Sequence, residues 1–393
     1  MRKLILIGFL LGSCCLSLGG QPLQEYAQAV TEHSGFPPAG GNRLRSTKDG
    51  TEYFAWVLED IRNARESIDL EYYWVSTDSV GLRLCEALKN KAREGVHVRM
   101  LVENMVTPFV PETHYAALRD AGIEVLYVHD FQRMNLLQSL SSFWGMRDHR
   151  KIVVIDGRIA YTGGMNFCSN AIYEWRDTQV RVQGPVAADL LSSLEKEWEM
   201  AGGEAFTVVV PQEDGPVRMQ VVTSAKRASM EDLYVKAIEN AREYFYVQTP
   251  YFCPPEPILQ ALKEASERGV DVRVLLPERC DWGFMNELSR DYFEQLLAAG
   301  IGVALFGEAY DHSKTFVTDG QLTYVGTANL DKRSFHINRE VGLFFYDPTV
   351  ADAYTRHFLE LESASNKPIP GESIPRGIHK PYRAFLHWLD PLF

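Results

Sequence analysis

Cysteine is scarce in this chain of 393 residues and poorly placed for a framework: of six, Cys14 and Cys15 lie in the N-terminal segment and the other four are widely spaced. Those four, Cys85, Cys168, Cys253 and Cys280, include no C-x-x-C pair, so neither a zinc site nor a disulfide scaffold is indicated. Buried or semi-buried thiols remain. The apolar run Leu4 to Leu11 falls well short of the roughly 20 residues that a membrane-crossing helix needs. A basic excess is missing too: the formal net charge is −12. Proteins that hold nucleic acid by its backbone usually carry a basic patch or domain, so no nucleic-acid partner is expected. What is present is ordinary for a globular protein with a full core: 46% hydrophobic and 23% charged residues, over a length that suits two domains or one large pseudo-symmetric unit.

The N-terminus reads as an address. Arg2 and Lys3 precede Leu4 to Leu11, and Gly12, Ser13, Gly19 and Gly20 follow, which is the positive, apolar, small-residue order of a secretory signal over residues 1–20. Leu11-Gly12-Ser13-Cys14 also resembles a bacterial lipoprotein signal, in which Cys14 is lipidated. An uncleaved interfacial anchor is the alternative. Each places the chain at the cell envelope, in association with a membrane.

One pattern occurs twice. His149-Arg150-Lys151, four residues and Asp156 are followed by Gly163, Asn166 and Asp177; His312-Ser313-Lys314, four residues and Asp319 are followed by Gly326, Asn329 and Glu340, at the same intervals. A single His-x-Lys recurs by chance and is usually structural. Duplication in register points instead to one active site assembled from two halves.

Each motif ends a longer repeat. Helical periodicity over Tyr53–Arg65, an aromatic-rich strand Ile68–Val75, a helix Gly81–Glu94 and a strand Val96–Val102 are matched by Met230–Arg242, Tyr244–Thr249, Pro257–Arg268 and Val270–Leu276. A further helix and strand, Thr113–Ala121 and Ile123–Val128, are matched by Asp291–Ala299 and Ile301–Phe306. Strand–helix–strand order implies parallel pairing with right-handed crossovers. The expected fold is α/β: two pseudo-symmetric α/β/α sandwich domains, at about 45–205 and 206–365, packed face to face with the active site at their interface. A tail, 366–393, follows.

The residue types suit an anionic phosphodiester. Side chains two apart on a strand share a face, so His149 and Lys151 enter one cleft, and His312 and Lys314 enter it from the other half. Lys151 and Lys314 supply positive charge, and Asn166 and Asn329 supply amide donors to the phosphoryl oxygens. One neutral imidazole can attack phosphorus, while a second, protonated, gives its proton to the leaving alcohol. Asp177 and Glu340 are candidates to accept from a histidine Nδ1 and fix its tautomer. Asp156 and Asp319 fall on the opposite face or in the turn, where Asp-Gly favours a hairpin, and read as architectural. Glu71 and Gln248, at the ends of the first strands, are either supporting groups or plain strand-end polar residues. A lysine on the face of each histidine opposes a dication, so no metal is expected, and no cofactor is implied.

These residues resemble the phospholipase D superfamily, whose signature is H-x-K-x4-D repeated twice. More narrowly the chain resembles bacterial cardiolipin synthases of that type, on Leu70-Glu71-Tyr72-Tyr73, the segment His149 to Gly157, Thr162-Gly163-Gly164-Met165-Asn166, Thr249-Pro250-Tyr251-Phe252, and Ala328 to Phe335 with Asn338 and Glu340. The resemblance implies the two-sandwich fold, metal-free chemistry and a catalytic set of His149, Lys151, Asp156, His312, Lys314 and Asp319. It also implies transfer of a phosphatidyl group between two phosphatidylglycerol molecules through a phosphatidyl-histidine, giving cardiolipin and glycerol, with His149 as nucleophile and His312 as general acid and then base. A hydrolytic phospholipase D, a nuclease of the superfamily and a non-enzymatic lipid-binding protein are the competing readings. For membrane contact the sequence offers the apolar stretch Phe131 to Trp144 and the C-terminal Tyr382, Phe385, Leu386, Trp388, Leu389, Leu392 and Phe393; burial against the enzyme's own core is the alternative for both.

Overall fold

A computed structural model of the chain describes residues 20–103, 110–128, 145–224 and 230–368. The signal-like N-terminus with Cys14, the stretch Phe131 to Trp144 and the aromatic C-terminus lie outside the described residues. Among those described, no helix is long and apolar enough to cross a membrane.

Local sequence accounts for the elements. The helix Ser79–Arg93 starts where the Asp78 carboxylate accepts from the backbone N–H groups of Val80 and Gly81, buries Leu84, Cys85 and Leu88, and gives way to Gly95 at φ 91°. The strand His97–Glu103 then pairs in parallel with Ser67–Tyr72 on one side and Glu124–Val128 on the other. Their near-continuous burial is that of strands covered on both faces.

In the first half the strand order is Glu124–Val128, His97–Glu103, Ser67–Tyr72, Lys151–Ile155, Ile159–Gly163, Trp175–Gln183, Ala39–Asp49. In the second it is Gly302–Phe306, Asp271–Pro277, Tyr244–Gln248, Thr315–Thr318, Leu322–Gly326, Val341–Phe345, Val217–Thr223. The two orders correspond strand for strand. Sequence periodicity predicts two sandwiches packed face to face, and the structure adds a seam. Ala39–Asp49 and Val217–Thr223 pair antiparallel, so the two sheets are hydrogen-bonded into one. Between the halves, the helices Pro185–Met200 and Pro348–Ser363 share an apolar cluster with strands from both: Val154 and Val180 from one, Val317 and Leu343 from the other.

The helix Gly20–Ser34 precedes the first half but packs on the second. Tyr26 and Val30 are buried in the cluster that holds Leu233, Tyr234 and Phe344, and the Tyr26 hydroxyl donates to the Leu233 carbonyl at 3.1 Å. Burial of two such side chains contributes about 1.5–3 kcal/mol each. The described fold therefore extends upstream of residue 45, to include this helix and the seam strand.

Candidate active site

Each histidine segment is stitched to the other half by backbone bonds. The His149 N–H donates to the Arg339 carbonyl at 2.9 Å, and the Arg339 N–H donates to Arg147 at 2.7 Å. In the second half Tyr310 and Asp311 pair in parallel with Trp175 and Arg176, and the His312 N–H donates to the Arg176 carbonyl at 2.7 Å. Because Arg339 precedes Glu340 and Arg176 precedes Asp177, each pairing sets a histidine beside the acid of the opposite half. His149 Nδ1 lies 3.0 Å from Glu340 Oε2, and His312 Nδ1 lies 2.8 Å from Asp177 Oδ2. Glu340 is held ionised and a carboxylate can only accept, so Nδ1 of His149 carries the proton and Nε2 keeps its lone pair; Nδ1 of His312 faces Asp177 and also lies 2.7 Å from Lys314 Nζ.

The lysines sit where the two-residue spacing puts them. Lys151 Nζ donates to the His149 carbonyl at 2.8 Å, and Lys314 Nζ donates to the His312 carbonyl. Lys314 Nζ is also 3.9 Å from Asp177 Oδ2. Both lysines are almost wholly buried, and burial pushes Lys151 down to about 7 and Lys314 down to about 8. Burial also lowers His149, against the pull of Glu340, and lowers His312 well below its usual range with the help of Lys314. Neutral imidazole is thus the resting form of both, as a nitrogen nucleophile requires.

The two acids differ. Burial works to raise Glu340, yet His149 and the Thr327 hydroxyl hold it below the usual carboxylate range, Thr327 Oγ1 donating to Oε2 at 2.5 Å. Asp177 is raised by burial to about 7, with Lys314 and Lys151 opposing. The position matching Thr327 is Gly164, which has no hydroxyl to give, and a Cβ there would come within 2.3 Å of Asp177 Oδ2.

Asp156 and Asp319 stand apart from this group. Each follows its strand at the end remote from the lysine, in the left-handed region at φ 51° and 52°. The Asp156 carboxylate accepts from the N–H groups of Arg65, Glu66 and Ser67 at 2.7–3.1 Å. That of Asp319 accepts from Arg242, Glu243 and Tyr244 at 2.8–2.9 Å. Each aspartate ties a hairpin to the start of the neighbouring strand. These bonds hold both aspartates in the turns, at the far end of the strands from the histidines and lysines.

Asn166 and Asn329 are buried, and the side-chain oxygen of each has no hydrogen-bond partner among the described residues. Glu71 is a supporting group: with Asp148 and Glu197 it surrounds the buried Arg150 guanidinium, one residue from His149. Gln248 is buried at its strand end, its amide nitrogen without a protein partner among the described residues.

Four aromatic side chains wall the site; in the sequence Tyr73 and Tyr251 belong to the motifs that carry the family resemblance, whereas Trp175 and Tyr310 stand outside them. Tyr73 stands edge-on to His149 at 5.1 Å between centroids, and its ring lies 5.2 Å from Lys151 Nζ. Trp175 and Tyr310 lie 5.3 and 5.5 Å from the His312 ring, with Tyr251 at 6.4 Å. Strand alternation carries a signal for two of them, since Trp175 is two residues before Asp177 and Tyr310 two before His312.

Comparison with known proteins agrees with this geometry. The chain matches the family described as "Cardiolipin synthase, PLD-like domain" over residues 57–199 and 234–362. It is 33% identical to the probable cardiolipin synthase YwiE of Bacillus subtilis (strain 168), over 86% of this chain and 69% of that protein. It is 34% identical to the major cardiolipin synthase ClsA of the same organism, over 81% of this chain and 68% of that protein. In fold it is similar to phosphatidylserine synthase from Haemophilus influenzae, with a TM-score of 0.70 at 13% identity, covering 94% of this chain and 99% of that one. Polyphosphate kinase from Porphyromonas gingivalis shares the fold at a TM-score of 0.58 and 17% identity, over 88% of this chain and 52% of that one. The crossed histidine–acid pairs thus stand in a chain that belongs to the phospholipase D superfamily, in its cardiolipin synthase family, and is an enzyme of that type.

Proposed function

We propose that the chain transfers a phosphatidyl group from one phosphatidylglycerol to another at a membrane surface, giving cardiolipin and glycerol. The observation that carries the reading is the crossed pairing, which gives each histidine a buried carboxylate at Nδ1 and a buried lysine beside it. His149 Nε2 attacks phosphorus. Lys151 and Lys314, with the amides of Asn166 and Asn329, offset the charge on the phosphoryl oxygens. His312 gives a proton to the glycerol oxygen as its bond to phosphorus breaks, leaving a phosphatidyl group on His149. The hydroxyl of a second phosphatidylglycerol then loses its proton to His312 and displaces His149. An anionic substrate in this low-dielectric site raises the pKa of His312, which supplies the protonated form that the first step needs.

Glu340 and Asp177 stabilise the imidazolium character that develops on each ring, as the acid of a catalytic triad does. Assigning nucleophile and acid in this order follows the family resemblance. The substrates are bilayer lipids, so the enzyme works at a membrane surface.

Lipid mass spectrometry of purified protein with phosphatidylglycerol vesicles tests the reading. Cardiolipin with released glycerol is expected, with His149→Ala and His312→Ala each abolishing it. Phosphatidic acid as the sole product would replace transfer by hydrolysis.

A further inference from the structure

The two sides of the site are furnished differently. Beside His149 stands Tyr73. Beside His312 stands a cluster of hydroxyls around one carboxylate: the Tyr310 hydroxyl donates to Asp281 Oδ1 at 2.8 Å, and the Tyr251 hydroxyl donates to the same oxygen. The two phenol oxygens are 3.3 Å apart, comparable to the spacing of a vicinal diol. Trp175 closes the wall, edge-on to Tyr310 at 5.0 Å. Tyr251 is buried and Tyr310 half-buried, whereas Asp281 is exposed, and both phenol hydroxyls bond to its Oδ1, leaving its Oδ2 to neither.

We propose that Asp281, Tyr251 and Tyr310 form a polyol pocket that seats the glycerol of the leaving group and then the glycerol head of the acceptor lipid. This rests on the phosphatidyl-transfer reading and on His312 as the proton carrier. The alcohol that receives the His312 proton must sit on that side, and by microscopic reversibility the incoming alcohol occupies the same place. There the acceptor hydroxyl loses its proton to His312 Nε2, its oxygen bonds to phosphorus, and the bond from phosphorus to His149 Nε2 breaks. The adjacent hydroxyl of the glycerol donates to Asp281, and the phenols either donate to the polyol or yield their place to it. Aromatic faces next to the carboxylate favour a carbon-backed diol over loose water, which offers them no apolar surface. The negative charge of Asp281 also acts to raise His312, against burial. A site built to bond a hydroxyl discriminates strongly against an acceptor that lacks it.

The test is a competition of alcohols. Purified full-length chain, with phosphatidylglycerol vesicles as donor, is given equal 1,2-propanediol and 1-propanol, and the two phosphatidyl products are weighed against each other by mass spectrometry. Their ratio does not depend on how much of a preparation is active, so a partly misfolded variant is still informative. Wild type is expected to favour the diol by about tenfold or more, the scale of one charge-assisted hydrogen bond. Asp281→Asn brings the ratio towards one, and Tyr310→Phe lowers it by a smaller factor. Retention of the wild-type ratio in Asp281→Asn, or a wild type that makes cardiolipin yet shows no diol preference, overturns the pocket while leaving phosphatidyl transfer intact. A wild type that yields phosphatidic acid alone overturns the transfer reading and the pocket with it.

Discussion

His149 hydrogen-bonds through Nδ1 to Glu340, 191 residues away, and not to the acid of its own repeat. The reciprocal bond joins His312 to Asp177. Neither half contains a complete histidine–acid pair, so orientation of each imidazole depends on correct docking of both halves.

Loss of either acid should therefore disable the histidine of the other half. For Glu340→Gln and Asp177→Asn, the expected fall in kcat is about 10²–10⁴-fold, from a wrong tautomer and an unsupported imidazolium. Steady-state transfer on phosphatidylglycerol vesicles checks this. A loss below about threefold in both variants would mean that the tautomer is set by another group.

His149 is the main group that holds Glu340 below the usual carboxylate range, and the Thr327 hydroxyl adds to it, a contribution Gly164 cannot make for Asp177. Thr327→Val removes a hydrogen bond to a buried charge, worth about 1.5–3 kcal/mol. Glu340 should titrate at higher pH and transfer should slow by about tenfold or more, with the acid limb of the rate profile moved upward. A profile identical to wild type counts against the role given to this hydroxyl. Gly164→Ala, by crowding Asp177, should also slow transfer.

The pH dependence follows from the buried lysines. Lys151 is pushed down to about 7 and Lys314 to about 8, so the cationic forms that attract a phosphodiester are lost as pH rises through that interval. The value of kcat/KM, which reports free-enzyme groups, should decline between about pH 7 and 8. On the acid side His149, lowered by burial, stays neutral below its ordinary value, so the limb there belongs to Asp177: raised to about 7, it is protonated as pH falls through that value, and activity should decline as His312 loses its charged partner. In kcat the alkaline limb should lie higher, because bound anion favours the ammonium form. A kcat/KM that rises steadily to pH 9 would contradict these charges.

Asp156 and Asp319 should matter for folding more than for chemistry. Asp156→Ala leaves the N–H groups of Arg65, Glu66 and Ser67 without their acceptor and puts alanine at a positive φ. The expected cost is about 2–4 kcal/mol of stability. Urea denaturation measures it, and active-site titration gives kcat per folded molecule. A variant as stable as wild type but catalytically dead would return Asp156 to the catalytic group.

Much of this protein is legible in the chain itself. The two-residue spacing of His149 and Lys151 and of His312 and Lys314, the aspartate turns, and the alternation of helical and strand periods are local properties, so they determine the repeat, the α/β class and the contents of the site. Three things are not local. The seam between Ala39–Asp49 and Val217–Thr223 joins short stretches whose partners are far apart in sequence. The exchange of acids between halves arises from backbone pairing of 147–149 with Arg339 and of 310–312 with 175–176. The cluster of Tyr251, Asp281 and Tyr310 collects residues that no single period connects. The amino-acid sequence by itself determined which groups the site would hold. Which histidine answers to which carboxylate was decided only by tertiary structure, because a hydrogen bond is set by distance in space, and the repeat is silent on how its two copies dock.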